Sequence, residues 1–154
     1  MPTARNEADP RGCTNFKLRQ LTRRVTQHYD HVLRECGLKT TQYSLLAQVE
    51  RLAPVRPSDL ATAMAMDAST LTRNLQPLLE RGWAKIGPGV DGRSRLVVLS
   101  ASGRAKRAEA QRAWKRAQIA LNEQLGSTRV AELHALLDDC LATLSAHEQE
   151  TTDA

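Results

Sequence analysis

Apolar residues recur along this chain at steps of three and four, and the stripes they draw predict a largely helical protein. From Cys13 to Cys36, the positions Leu18, Leu21, Val25, Val32 and Cys36 line one face of a long amphipathic helix, and His28 fills the gap in that stripe. Gly37 is placed to stop it, because glycine enters the left-handed region at a helix end without steric cost. A second stripe, Tyr43, Leu46, Val49 and Leu52, follows Thr40 and Thr41, either of which can cap it. Pro57 suits the first turn of a short third helix carrying Leu60, Ala61 and Met64, since its missing N–H has no partner to lose there. After a turn at Ala65-Met66, Asp67 is placed to cap a fourth helix from Ala68 to about Arg81, which Gly82 ends. Pro77 lies inside that helix and removes the donor to the Arg73 carbonyl. Leu71, Leu75, Leu78 and Leu79 keep the helical period across it, so one kinked helix is expected.

The period then shortens. Ala84-Lys85-Ile86 and Leu96-Val97-Val98-Leu99 read as two strands, with Gly87-Pro88-Gly89 and Asp91-Gly92 as turn chemistry between them. Ser100 or Ser102 opens a long helix to about Leu125, whose apolar set is Ala105, Ala108, Ala113, Trp114, Ala117, Leu121 and Leu125. Gly126 breaks it. A last helix runs from about Thr128 to about His147 on the stripe Val130, Leu133, Leu137, Leu141 and Leu144. Residues 1–12, with Pro2, Pro10, Gly12 and no periodicity, read as a flexible arm. Only five of the 154 residues are aromatic, so the core must be built from Leu, Val and Ala, which favours helix packed on helix.

Charge adds a function class to this picture. Residues 56–116 hold 12 Lys+Arg against 5 Asp+Glu, whereas residues 117–154 hold 1 against 7. The positive excess therefore sits on the two short helices, the hairpin and the helix after it, a footprint suited to phosphate. A solvated basic face is the plain alternative. No apolar run is long enough to span a bilayer, and the polar start Met1-Pro2-Thr3-Ala4-Arg5 lacks the apolar centre of a signal peptide, so a cytoplasmic protein is expected. Three cysteines without framework spacing fit a reducing compartment, with Cys36 and Cys140 expected as buried small apolar residues.

The chemistry concentrates between Pro57 and Gly103. Two short helices, a hydroxyl-rich helix tip and an arginine-tipped hairpin make a winged helix-turn-helix, a device for reading duplex DNA. A helix entering the major groove needs small or polar side chains at its tip and a long donor further along. Ala68, Ser69, Thr70, Thr72, Arg73 and Asn74 supply both. Arg73 can fork onto a guanine or clamp a phosphate; Asn74 can read adenine or face solvent; Ser69 and Thr70 can serve bases or merely support the helix start. Lys85, Arg81, Arg104, Lys106 and Arg107 are candidates for a phosphate shell.

Spacing and residue order from about Leu38 to Gly103 resemble the MarR family of dimeric bacterial transcription regulators. The resemblance implies a mainly α fold with a small β-hairpin wing. A DNA-binding domain would span residues 38–100, flanked by dimerisation helices over residues 13–37 and 101–147. It implies a wing element Asp-x-Arg, matched here by Asp91-Gly92-Arg93, in which the carboxylate holds the Arg93 guanidinium ready for the minor groove, with Arg95 beside it on phosphate. It implies a homodimer on a palindromic operator, with Leu18, Leu21, Val25, Val130, Leu133, Leu137, Leu141 and Leu144 at the interface. Many members respond to small aromatic compounds, which implies an effector pocket for which His28, His31, Val32, Cys36 and Tyr43 are candidates, with Tyr29 and Leu46 beside them. Packing roles compete for His28 and Tyr43. The peroxide-sensing branch is similar in placing a reactive cysteine near the start of the first helix, where Cys13 stands between Arg11 and Lys17.

A repressor released by a small molecule or an oxidant is the resulting expectation. The alternative is a winged-helix interaction module without sequence-specific DNA binding, against which the intact Arg73 and Arg93 argue. No nucleophile–base spacing, phosphate-cradling loop or acid pair points to an enzyme or a cofactor. His28-x-x-His31 presents two ring nitrogens on one face, but spacing fixes no third ligand, so no metal is expected.

Overall fold

The computed structural model describes residues 11–152, so the expected arm lies, apart from Arg11 and Gly12, outside the described residues. The elements are α1 (Thr14–Leu33) with a 3-10 turn at Arg34–Cys36, α2 (Thr40–Leu52), α3 (Pro57–Ala63), α4 (Ala68–Glu80), β1 (Ala84–Pro88), β2 (Arg95–Leu99), α5 (Ala101–Leu125) and α6 (Ser127–Thr152). The fold is mainly α with one two-stranded antiparallel hairpin, a winged helix-turn-helix. The chain divides into two compact units, Met1–Trp114 and Lys115–Ala154.

The first unit is built around buried Leu33, Leu45, Leu46, Val49, Leu60, Leu71, Leu78 and Val97. Burying each such side chain stabilises the fold by about 1.5–3 kcal/mol. Local signals set most of the boundaries. Gly37 turns left-handed at φ 69° after the 3-10 turn, and Gly82 does the same after α4. Pro57 stands in the first turn of α3. The turn to α4 passes through Ala65 at φ 51°, closed by the Met66 N–H on the Ala61 carbonyl at 2.9 Å. Helix α4 runs through Pro77 without interruption and buries Leu71, Leu75 and Leu78, one face of a 3.6-residue period.

Other boundaries differ from the sequence reading. Neither Thr40 nor Thr41 caps α2; Thr40 is its first residue. The Asp30 carboxylate of α1 accepts the Thr40 backbone N–H at 2.7 Å and its hydroxyl at 2.6 Å, so the cap comes from another helix. Gln42 reaches back to the Lys39 N–H at 2.9 Å. Gly87 and Pro88, expected in the turn, extend β1 and pair with Leu96 and Arg95. Pro88 sits at the strand's end, where a missing donor costs no ladder bond. Val55 adds a bridge on the other side of β2, exchanging backbone hydrogen bonds with Val97 at 2.8 and 3.2 Å.

Ser100 joins β2 to α5. Its hydroxyl donates to the Gly82 carbonyl at 2.6 Å and accepts the Gly103 N–H at 3.0 Å, while its own N–H bonds the Trp83 carbonyl at 3.0 Å. Gly103 presses on that same carbonyl, and a Cβ placed there would overlap it. The buried side of α5 in this unit is Gly103, Ala110 and Ala113; Ala105 and Ala108, expected in the stripe, are exposed.

The second unit holds the rest of α5, Gly126 at φ 89°, and α6. Among its described residues Ala117 and Val130 are buried. Leu136, Leu137, Leu141 and Leu144 are exposed, and so is Cys140, against the expectation that it is buried. Cys140 lies on the same helical side as those leucines, a side that the single chain leaves uncovered.

Candidate nucleic-acid interface

The tip of α4 is organised by one carboxylate. Asp67 accepts the Ser69 hydroxyl at 2.7 Å, the Thr70 N–H at 2.7 Å and the Thr70 hydroxyl at 2.9 Å. These bonds favour its charged form and lower its pKa from 3.8 to about 2. Ser69 and Thr70 thus spend their protons supporting the helix start, and Thr72 spends its own on the Ala68 carbonyl at 2.9 Å. What the tip offers outward is the methyl groups of Ala68 and Thr72, hydroxyl lone pairs, and Arg73. The Arg73 side chain is exposed, its only side-chain bond among the described residues being a long 3.4 Å contact to Thr70 Oγ1. Asn74 is half-buried on the flank of the Leu71–Leu75 face and donates to Met66 Sδ at 3.6 Å.

In the wing, Asp91 does not hold the Arg93 guanidinium. Its carboxylate accepts the Ser94 hydroxyl at 2.6 Å, the Ser94 N–H at 2.8 Å and the Arg93 backbone N–H at 3.1 Å. The Ser94 bonds, chiefly, lower its pKa from 3.8 to about 2. The acid therefore fixes the turn, with Gly92 left-handed at φ 68°, and the turn carries Arg93. Arg93 and Arg95 are both exposed.

Most of the candidate phosphate shell is tied into the fold. Arg81 donates to the Gly37 carbonyl at 3.3 Å and stacks 4.9 Å from the Trp83 ring centre. Arg104 donates to the Leu99 carbonyl at 3.0 Å. Lys106 bonds the Cys36 carbonyl at 3.2 Å and Glu109 at 2.9 Å, which holds the Glu109 carboxyl below its usual range. Arg107 Nε lies 2.8 Å from Glu50 Oε2, at an angle that leaves the buried N–H itself without an acceptor. Lys85 is exposed.

The candidate effector residues form part of a packed aromatic group. Tyr29 and Tyr43 lean on Trp114 at 6.3 and 5.8 Å, and His28 meets Tyr29 edge-on at 5.8 Å. Burial raises the pKa of both phenols. Val32 and Cys36 are half-buried against the core, and His31 is exposed. A cleft of about 330 Å³ lies beside them, lined by Asp30, Arg34, Gly37, Leu38, Lys39, Gln42 and Arg81 and by none of those five candidates. Among the described residues no three His, Cys, Asp or Glu side chains gather as a metal requires. No helix among them is long and apolar enough to cross a membrane.

Cys13 is exposed at the N-cap of α1. Of the expected interface residues, Leu18, Leu21, Leu137, Leu141 and Leu144 are exposed, Val25 and Leu133 half-buried, and Val130 is already covered within its own chain. Phe16, 58% exposed on α1, was not expected; it sits off the Leu18–Leu21–Val25 stripe, so periodicity gave no sign of it.

A family model described as the MarR family matches residues 37–94, from the end of the 3-10 turn to the wing. The transcriptional regulator MosR of M. tuberculosis, solved in complex with DNA, is 30% identical with a TM-score of 0.68, over 84% of this chain and 98% of that one. The chain belongs to the MarR family. The multiple antibiotic resistance protein MarR of Salmonella typhimurium is 29% identical over 138 residues, 88% of this chain and 94% of that protein. The HTH-type transcriptional regulator YwoH of Bacillus subtilis is 28% identical over 90 residues, 58% of this chain, which spans 66% of that relative. The span matched by the family model takes in α2, α3, α4 and the Asp91–Arg93 turn, whereas α5 and α6 lie beyond it.

Proposed function

We propose that this MarR-family member is a homodimeric, sequence-specific DNA-binding repressor. The observation that carries the reading is the pairing, on one compact unit, of a small-tipped helix bearing an exposed Arg73 with a hairpin bearing exposed Arg93 and Arg95. The first element fits a major groove, and the second fits the minor groove beside it. MosR and other relatives with DNA in their structures support the same partner. Residues 38–100 act as the DNA-binding domain. The helices over 13–37 and 101–147 hold two copies together through the exposed leucines of α1 and α6. A single head covers too little DNA for tight recognition, and two heads on a palindrome with half-sites about 34 Å apart remedy this.

Release follows an effector or oxidant that shifts the two heads away from that spacing. The exposed Cys13 is the residue assigned to the oxidant branch of this reading. The deciding experiment is selection of bound sequences from random duplexes by the purified protein. A palindrome should emerge, bound with a steep salt dependence. Selection that enriches no sequence overturns the proposal. Peroxide titration of the resulting complex, with Cys13→Ser as the control, tests the redox branch separately.

A further inference from the structure

The wing ends in an apolar side chain that the reading above leaves without a role. Val90 is fully exposed at the crest of the β1–β2 hairpin, between Gly89 and Asp91. A β-branched side chain is stiff at χ1, so covering it costs little freedom. The loop that carries it is fixed in advance. Gly89 fits closely: a Cβ there would stand 3.0 Å from Ser94 Cβ and 3.3 Å from Asp91 Oδ1, so its neighbours would have to give by a few tenths of an ångström. The Gly92 N–H closes on the Gly89 carbonyl at 2.9 Å, and both Asp91 oxygens are occupied by Ser94 and by the Arg93 amide. The acid on the crest, though exposed, is thus engaged within its own turn. Beside Val90 stand the Asp91 carboxylate, committed to its own turn, and the exposed side chains of Arg93 and Arg95, neither of which joins an ion pair among the described residues.

We propose that Val90 enters the minor groove beside Arg93 and makes the wing select A·T over G·C at the step it covers. The proposal rests on the DNA reading above. The floor of the minor groove at A·T shows only acceptors, whereas G·C adds the guanine N2 amino donor. Arg93 can satisfy those acceptors. The isopropyl group of Val90 fits the space that the amino group would fill. Over G·C it strips water from the amino donor and returns no acceptor, which is the costly case of an unmade hydrogen bond.

The test uses the selected operator at its minor-groove step protected by the wing from hydroxyl radicals. Duplexes carry A·T, G·C or inosine·C at that step. Inosine·C keeps the major-groove edge of G·C and lacks only the amino group. Wild type and Val90→Ser are compared by fluorescence anisotropy, with circular dichroism melts confirming that the exposed substitution leaves the fold intact. Wild type should bind the A·T and inosine·C duplexes alike and the G·C duplex about tenfold more weakly, the size of one stranded donor. With Val90→Ser, whose hydroxyl can accept from the amino group, that gap should close to under about threefold. The salt slope should be the same for both proteins, since no charge has changed. A full G·C penalty in Val90→Ser, or inosine·C bound as poorly as G·C, overturns the inference while leaving the DNA reading standing. A wild type that selects no duplex removes both.

Discussion

The carboxylate of Asp91 takes both the backbone N–H and the hydroxyl of Ser94, at 2.8 and 2.6 Å. Arg93 is thereby held through its backbone on a rigid turn while its guanidinium stays unspent. Replacing Arg93 with Ala should weaken operator binding about ten- to a hundredfold, the worth of a good base contact, and lower the salt slope by about 1. Ser94→Ala should leave the slope unchanged and cost roughly three- to tenfold through a looser turn. Anisotropy titrations at several salt concentrations separate the two effects. An Arg93→Ala protein with wild-type affinity would remove the wing from the interface.

Gly103 stands at a position where the fold cannot accommodate a side chain. Its replacement by Ala forces α5 away from the Trp83 carbonyl, and overpacking of this kind costs about 1–3 kcal/mol. Urea unfolding should show a lower midpoint with an unchanged slope. A midpoint equal to that of wild type would mean that the helix start shifts freely.

Asp67 and Asp91 have folded pKa values of about 2 against an ordinary 3.8. Each is stabilised when charged, so the contribution is complete above about pH 4 and is lost as the pH falls through the folded values. Asp67→Ala and Asp91→Ala should therefore melt below wild type near neutrality, and the difference should shrink only below about pH 4. Melts followed by circular dichroism from pH 7 downward measure it. A difference that persists undiminished in acid would show that neither carboxylate acts through its charge.

The leucines of α6 give a test of assembly. Leu141 is 60% and Leu144 63% exposed on the single chain. Placing a charge in that face, as Leu141→Asp, should convert a particle of twice the chain mass into one of 17.0 kDa in sedimentation and abolish tight binding to the palindrome. Sedimentation at the wild-type mass would move the interface elsewhere.

The features legible in the sequence are those whose cause lies within a few residues. Asp67 announces the start of α4 because an N-cap bonds three residues ahead, and Gly82 announces its end through its left-handed backbone. The α2 cap was out of reach because Asp30 supplies it from ten residues upstream. In α5 the expectation holds for Ala113, Trp114 and Ala117 but not for Ala105 and Ala108, because alanines at positions 101, 105, 108, 110, 113 and 117 make several phases of the first turns equally apolar. Only the approach of Gly103 to Trp83 chooses among them. At the site, residue types located the α4 tip and the wing, but they could not tell whether Asp91 would hold a guanidinium or a turn. The contact of Asn74 with Met66, eight residues away, was equally hidden.

Ser100 closes the hairpin, opens the long helix and clasps the exit of α4, all with one residue. Ser100 alone stands between the end of β2 at Leu99 and the start of α5 at Ala101, so no slack linker separates these parts. A rotation of the first turn of α5 is therefore felt at the base of the hairpin through directly bonded backbone, and the hairpin carries Arg93 at its far end.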